Sequence, residues 1–231
     1  MEKWLSDTNN IYRESPWLLF NNMDWAPLIK DSIPETYQKG SFIYHQNQSS
    51  DYIYVIKSGR VNMSIVNSDG KVRTLFICGE GSIFGEISHF ISPENCAQAQ
   101  VVSTSVIYKV KKSRFQKLFE TNSIIAQNTA IILSKKVRAL TAQMESTMFP
   151  DAIKRVANIL LYLAGQYGKQ TENGLLLNIC FSHQEVADLI GTSRVTVTNA
   201  FKQLSKCGLV KKSRGKTQIF NCEKLKEMLL W

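Results

Sequence analysis

Residues 182–206 read SHQEVADLIGTSRVTVTNAFKQLSK, and this stretch decides the fold of the C-terminal part of the chain. Ser182 and Glu185 have the spacing of a capping box, in which the serine oxygen takes the backbone N–H of the glutamate and the carboxylate reaches back to that of the serine. A first helix starts there. Val186, Leu189 and Ile190 fall on its apolar side, and Ala187 is small where a second helix must cross closely. Gly191 supplies the left-handed residue that ends this helix, and after Thr192 the hydroxyl of Ser193 caps the next one. In that second helix Val197, Phe201 and Leu204 face inward. Ser193, Arg194, Val195, Thr196, Thr198, Asn199 and Lys202 are then the outward set toward the N-terminal end, as in a helix-turn-helix whose second helix enters a major groove of DNA.

After Leu209-Val210, the run KKSRGKTQIFN reads as a strand, a basic turn with Gly215 and a second strand, the pattern of a wing. Lys211, Lys212, Arg214 and Lys216 are expected at backbone phosphates, which set register and affinity without reading sequence. His183 and Gln184 have the same expected role in the first turn of the first helix, where backbone N–H groups favour an anion. Charge agrees with this. The chain carries a net +9, with twelve Lys/Arg against six Asp/Glu over residues 150–231 and sixteen against thirteen over residues 1–149. Between Asp188 and Glu223 there is no acid, a footprint suited to phosphate. A charge run alone reads equally well as a solvated face; the motif inside it favours nucleic acid.

Upstream, from Tyr37 to Val110, the β-favouring runs SFIYH, DYIYVIK, RVNMSIV, VRTLFI and SVIYKV are punctuated by Gly40, Gly59, Gly70, Gly79, Gly81 and Gly85. Such spacing predicts a small barrel or roll. Asn67-Ser68-Asp69-Gly70 predicts a hairpin pairing the third and fourth runs, since Gly and Asp tolerate the positive φ of tight hairpins. No Gly or Pro occurs from Glu94 through Phe149, where Ala126, Ala130, Leu133, Val137, Leu140 and Met144 recur at steps of 4, 3, 4, 3 and 4. That is an a/d seam. A helix over 122–148 would be roughly 40 Å long, more than a small roll covers, so a second copy of the chain is the expected cover. The other reading is an amphipathic helix folded on its own domain. Phe149-Pro150 ends the helix and is the expected hinge. Strands followed by helices indicate an α+β chain in three parts: 1–121, 122–149 and 150–231.

These pieces together resemble the Crp/Fnr family from about Gln38 to the end. The matching segments are the roll glycines, Phe84-Gly85-Glu86, the long helix running into FPDAIKRVANILLYLA, and QEVADLIGTSRVTVTNAFKQL, the most specific of them. The resemblance implies an N-terminal β-roll sensor (a double-stranded β-helix, jelly-roll-like), a long dimerisation helix and a C-terminal winged helix-turn-helix. It further implies a bacterial, cytoplasmic homodimer that binds an inverted repeat in double-stranded DNA, works with RNA polymerase and is not an enzyme. By the same resemblance Arg194 matches a base-reading position. Val195 and Asn199 occupy two others with residue types unlike those of the cyclic-AMP receptor protein, which implies a different DNA target.

In cyclic-AMP-binding relatives a Gly-Glu pair is followed, about ten residues on, by an Arg-Ser pair that holds the cyclic phosphate. Here the first pair is Gly85-Glu86 and the second is replaced by Cys96-Ala97, which offers neither a cation nor a hydroxyl. The expectation is an unidentified small effector, not cyclic AMP, lined by Gly85, Glu86, Cys96, Ala97 and Thr141. Each of the polar residues has a plainer reading: Glu86 caps or pairs within the roll, Cys96 is a buried small hydrophobe, and Thr141 bonds to its own helix. Iron-sulfur sensing in oxygen-responsive relatives uses clustered cysteines near the N-terminus, whereas the first here is Cys78, so no iron-sulfur cluster is expected. His89 lies two residues from the position of a haem ligand in a haem-binding relative, and a lone histidine does not make a haem site.

Other classes fit poorly. Cys78, Cys96, Cys180, Cys207 and Cys222 are scattered without a C-x-x-C pair, so neither a disulfide framework nor a zinc site is expected and the thiols read as reduced and structural. His45, His89 and His183 cannot supply the two-histidine, one-carboxylate set of a metal-dependent oxygenase on a β-barrel. No run approaches the roughly 18 apolar residues of a membrane span, and residues 1–10, MEKWLSDTNN, lack the apolar core and cleavage site of a signal peptide. The expected location is the cytoplasm.

Overall fold

The structure is a computed structural model that describes residues 16–20, 23–149, 151–213 and 215–229; residues 1–10, Pro150 and Arg214, on which expectations were placed, lie outside the described residues. The chain divides into two compact units, Trp17–Arg138 and one that begins at Ala139.

The first unit runs β1 (Trp17–Leu18), α1 (Ala26–Ile29), β2 (Pro34–Tyr37), β3 (Phe42–Tyr44), β4 (Tyr52–Val66), β5 (Val72–Cys78), β6 (Ile83–Phe84), α2 (Ile87–Phe90), β7 (Gln98–Lys111), α3 (Lys112–Thr121) and the first part of α4 (Ser123–Thr147). Its sheet has the order β1-β5-β4-β7-β2, with β3 also on β7 and β6 also on β4. Ile53, Val55, Val61, Phe76, Phe84, Ala99, Val101 and Ile107 supply much of the buried interior of this roll. The predicted hairpin is present: β4 and β5 pair antiparallel from Val66↔Val72, and Asn67 Oδ1 accepts from the N–H groups of Asp69 and Lys71 at 3.1 and 2.8 Å.

One glycine does other work than expected. Gly59 does not separate two strands; DYIYVIK and RVNMSIV merge into the single strand β4, and Gly59 sits inside it with φ +92° where the register with β7 slips. A Cβ at Gly59 would lie 2.5 Å from Ser105 Cα, so the residue permits a bulge and a close approach of two backbones. Ser105 Oγ then accepts the Arg60 N–H at 2.9 Å.

The long helix packs one face on its own roll and leaves part of the neighbouring seam exposed. Ile125, Thr129, Ile132 and Lys136 form a buried stripe at steps of 4, 3 and 4. On the other face the expected seam alternates half-buried Ala126, Leu133 and Leu140 with exposed Ala130, Val137 and Met144; Val137 is 63% and Met144 70% exposed. Asn122 caps the helix, its Oδ1 accepting from the N–H groups of Ile124 and Ile125.

The second unit continues with α5 (Ala152–Tyr167), β8 (Gly168–Thr171), β9 (Gly174–Leu177), α6 (His183–Ile190), α7 (Arg194–Lys206), β10 (Val210–Ser213), β11 (Lys216–Ile219) and α8 (Cys222–Glu227). Every residue of α5 from Val156 to Ala164 is buried, which makes it the central helix of this unit. The sheet order is β10-β11-β9-β8, so the expected wing hairpin is the outer half of a four-stranded sheet. The β8–β9 hairpin was not foreseen, although Asn173-Gly174 between TE and LLL is a hairpin signal. Among the described residues no helix is long and apolar enough to cross a membrane.

Candidate nucleic-acid interface

The reading head is built by caps. Ser182 Oγ accepts the Glu185 N–H at 3.1 Å while the Ser182 N–H donates to Glu185 Oε2 at 2.7 Å, closing the predicted box at the start of α6. Gly191 ends that helix in the left-handed region at φ 65°, ψ 48°, and Ser193 Oγ takes the Thr196 N–H at 3.1 Å to start α7. Val186, Ala187, Leu189 and Ile190 of α6 and Val197, Ala200, Phe201 and Leu204 of α7 are all buried. The two helices thus pack through the faces that their apolar spacing defines.

On the outer face of α7, Arg194, Val195, Asn199 and Lys202 are exposed. Val195, 68% exposed, is an apolar side chain held in water at the first turn of the helix. Thr198 is half-buried: its Oγ1 donates to Arg194 O at 2.9 Å and lies 2.9 Å from His183 Nδ1. Ser193 and Thr196 share a hydroxyl contact of 2.8 Å beside their capping bond. Three members of the outward set therefore shape the helix end, and four present side chains to solvent.

Several residues expected at phosphates have inward partners. The Lys212 ammonium donates to Phe181 O at 2.7 Å and lies over the Phe181 and Phe201 rings at 4.3 and 5.4 Å. Burial pulls its pKa down to about 8. It clamps β10 to the segment before α6, because an aromatic face and a carbonyl satisfy a half-desolvated cation. The His183 ring stacks on Phe201 at 4.6 Å, and its Nε2 is buried without a hydrogen-bond partner among the described residues. Burial, then the charges of Lys212 and Arg194, hold this imidazole below its ordinary pKa. Gln184 donates to Asp188 Oδ1 at 2.6 Å. Lys211 and Lys216 are the exposed cations of the wing strands.

In the roll, Gly85 and Glu86 join β6 to α2, and Glu86 is fully buried. Lys136 of α4, 4% exposed, donates to Glu86 Oε1 at 2.5 Å and to Ile83 O at 2.9 Å. Glu86 Oε2 has no hydrogen-bond partner among the described residues. Glu86 therefore pairs with the long helix, and Lys136 is the residue that sequence reading missed. Its signal was a lysine falling on the buried stripe of α4. Cys96 is exposed, which overturns its reading as a small core residue, while Ala97 is buried and Thr141 is exposed in the second unit. Cys180 and Cys207 are exposed too, and Cys78 is the thiol within the core, where burial pushes its pKa up to about 12. His89 Nε2 is bonded to Gln116 Oε1, and its ring meets Phe115 edge-on.

A β-roll followed by a long helix and a capped helix-turn-helix with a basic outer face defines a DNA-binding transcription regulator. Residues 34–122 match the cyclic nucleotide-binding domain and residues 154–228 the Crp-like helix-turn-helix domain. The chain belongs to the Crp/Fnr family of regulators. It is 29% identical over 192 residues to the cyclic AMP receptor protein of Thermus thermophilus, covering 83% of this chain and 86% of that one. It is 25% identical over 200 residues to a CRP-like cAMP-activated global transcriptional regulator of Mycobacterium tuberculosis, covering 87% and 89%. In fold it is similar to a doubly substituted CooA from Carboxydothermus hydrogenoformans, with a TM-score of 0.78 and 23% identity over 94% of this chain and 98% of that one.

Proposed function

We propose that this regulator acts in the bacterial cytoplasm as a homodimer, binds an inverted repeat in double-stranded DNA, responds to a small effector other than cyclic AMP and communicates with RNA polymerase. Residues 1–121 would serve as the sensor, 122–149 as the dimerisation helix with its hinge, and 150–231 as the DNA-binding part. The observation that carries the reading is the exposed trio Arg194, Val195 and Asn199 at the capped start of α7. An arginine suits guanine O6 and N7, an asparagine suits adenine, and an exposed valine suits a thymine methyl. Dimerisation is supported by the seam of α4, because Val137 and Met144 sit on a heptad line and are 63% and 70% exposed.

The effector reading rests on charge balance. Glu86 and Lys136 already neutralise one another out of water. A cyclic phosphate would add an anion beside Cys96 and Ala97, neither of which supplies a cation. The two relatives named for cyclic AMP set the opposite expectation. Calorimetry with millimolar cyclic AMP, followed by a gel shift on genomic fragments retained by the protein, separates the two. No saturable heat and no change in DNA affinity are expected; saturable binding that tightens DNA affinity about tenfold overturns the effector reading. On the retained fragments, two half-sites about 34 Å apart are expected, with log affinity against log salt falling at a slope of magnitude about five or more. A single half-site with a shallow slope overturns the dimer.

A further inference from the structure

A cleft of about 360 Å³ opens on the roll between the segment leading into β4, helix α2 with the turn after it, and the start of α3. Glu86 does not line it. Two side chains of opposite charge do: Lys112 and Asp51. The Lys112 ammonium donates to Ser88 Oγ at 2.9 Å, and the buried Ser88 hydroxyl donates in turn to Gly85 O at 2.9 Å. Desolvation lowers the Lys112 pKa, and the Asp51 carboxylate acts on it in the opposite sense. The two charges nevertheless form no ion pair with each other; the ion pairs among the described residues are Arg114–Asp31, Lys136–Glu86 and Lys226–Glu223. Their backbones are held together, the Lys112 N–H donating to Asp51 O at 2.8 Å, which keeps both residues at one cleft. The rest of the wall is mixed: Ser49, Ser50, His89 and Ser92 line it together with an apolar edge of Phe90, 43% exposed, Ile91, 84% exposed, and Pro93.

We propose that this cleft binds a free α-amino acid with an apolar side chain, its carboxylate on Lys112, its ammonium on Asp51 and its side chain against Phe90 and Ile91. A phosphate dianion would be repelled by Asp51 and a simple amine by Lys112, whereas a zwitterion gives each charge its own charge-assisted partner. The volume lies at the small end for ligand pockets, in keeping with a metabolite of this size. The site is separate from the effector reading of the roll and does not depend on it.

The test is calorimetric titration of the full chain with leucine, isoleucine, methionine and phenylalanine. For whichever binds best, the titration is repeated with the matching acid lacking the ammonium and the matching amine lacking the carboxylate, and then with Lys112→Gln and Asp51→Asn. Saturable binding of at least one amino acid is expected, weakened about tenfold or more in each deaminated or decarboxylated analogue and in each variant. No saturable binding of any of the four, an analogue that binds as well as its amino acid, or affinity unchanged in both variants overturns the assignment. The analogues probe the unaltered protein, so the outcome does not hang on whether a variant folds.

Discussion

Lys136 Nζ donates to Glu86 Oε1 at 2.5 Å with both side chains almost wholly out of water, tying the turn between β6 and α2 to the buried stripe of α4. Removing one partner of such a pair strands the other charge in the interior, so Lys136→Ala is expected to cost the roll about 3–5 kcal/mol. Replacing both, as Glu86→Leu with Lys136→Met, is expected to restore most of that. Urea unfolding followed by the fluorescence of Trp17 and Trp25, both buried in the roll, measures it. A single-variant cost below about 1 kcal/mol would show that the pair is worth no more than an exposed one.

The two kinds of DNA contact separate by substitution. Arg194→Ala is expected to lose about 1–3 kcal/mol on the cognate site, to relax one base position and to leave nonspecific binding nearly unchanged. Lys216→Ala, at an exposed cation of the wing, is expected to weaken all DNA alike and, with two copies in the proposed dimer, to lower the salt slope by about two. Identical behaviour of the two in gel shifts over a salt series sinks the division. Lys212→Ala is a poor probe of phosphate contact, because it also frees Phe181 O and uncovers two aromatic rings.

Val137→Glu places a charge in the middle of the exposed seam of α4 while leaving the buried stripe untouched. Sedimentation is expected to show a monomer for the variant and a dimer for the unaltered chain, with a loss of operator affinity in step. A variant that remains dimeric at micromolar concentration would place the interface elsewhere.

The reading head should weaken in mild acid. Because its folded pKa is lowered from 6.5, His183 resists a proton that the unfolded chain accepts, so the stability this gives is full above about pH 6.5 and declines as pH falls toward the folded value. Lys212 adds a second rise at the alkaline end: with its folded pKa near 8 against 10.5, stability increases from about pH 8 to 10.5. Melting of the C-terminal unit measured from pH 5.5 to 8 is expected to climb, and His183→Gln to flatten the acid limb. An unchanged slope in that variant would assign the acid sensitivity to another group.

The local signals of α6 and α7 were legible because capping and apolar spacing are short-range: Ser182, Glu185, Gly191 and Ser193 each do in the structure what their type and position imply. The Asn67–Gly70 hairpin was legible for the same reason. What escaped depends on contacts between distant parts of the chain. Gly59 looked like punctuation because nothing nearby in sequence reveals that Ser105 would press against it. Lys212 looked like a phosphate ligand because a basic run gives no hint that Phe181 and Phe201 lie behind one of its members. Cys96 was read as a core residue from its type alone, and the loop that carries it leaves it at the surface. Lys136 sat in plain view on the buried stripe, but its partner fifty positions upstream did not.

The hydrogen bonds that fix the start of α7 are made by Ser193, Thr196 and Thr198, and its packing by Val197, Ala200, Phe201 and Leu204. Among the described residues the side chains of Arg194, Val195 and Asn199 take no part in either. The positions proposed to choose a base and the positions that hold the helix are therefore distinct sets of residues. Copies of such a gene can exchange the first set freely, drifting toward new operators one substitution at a time, without passing through an unfolded intermediate.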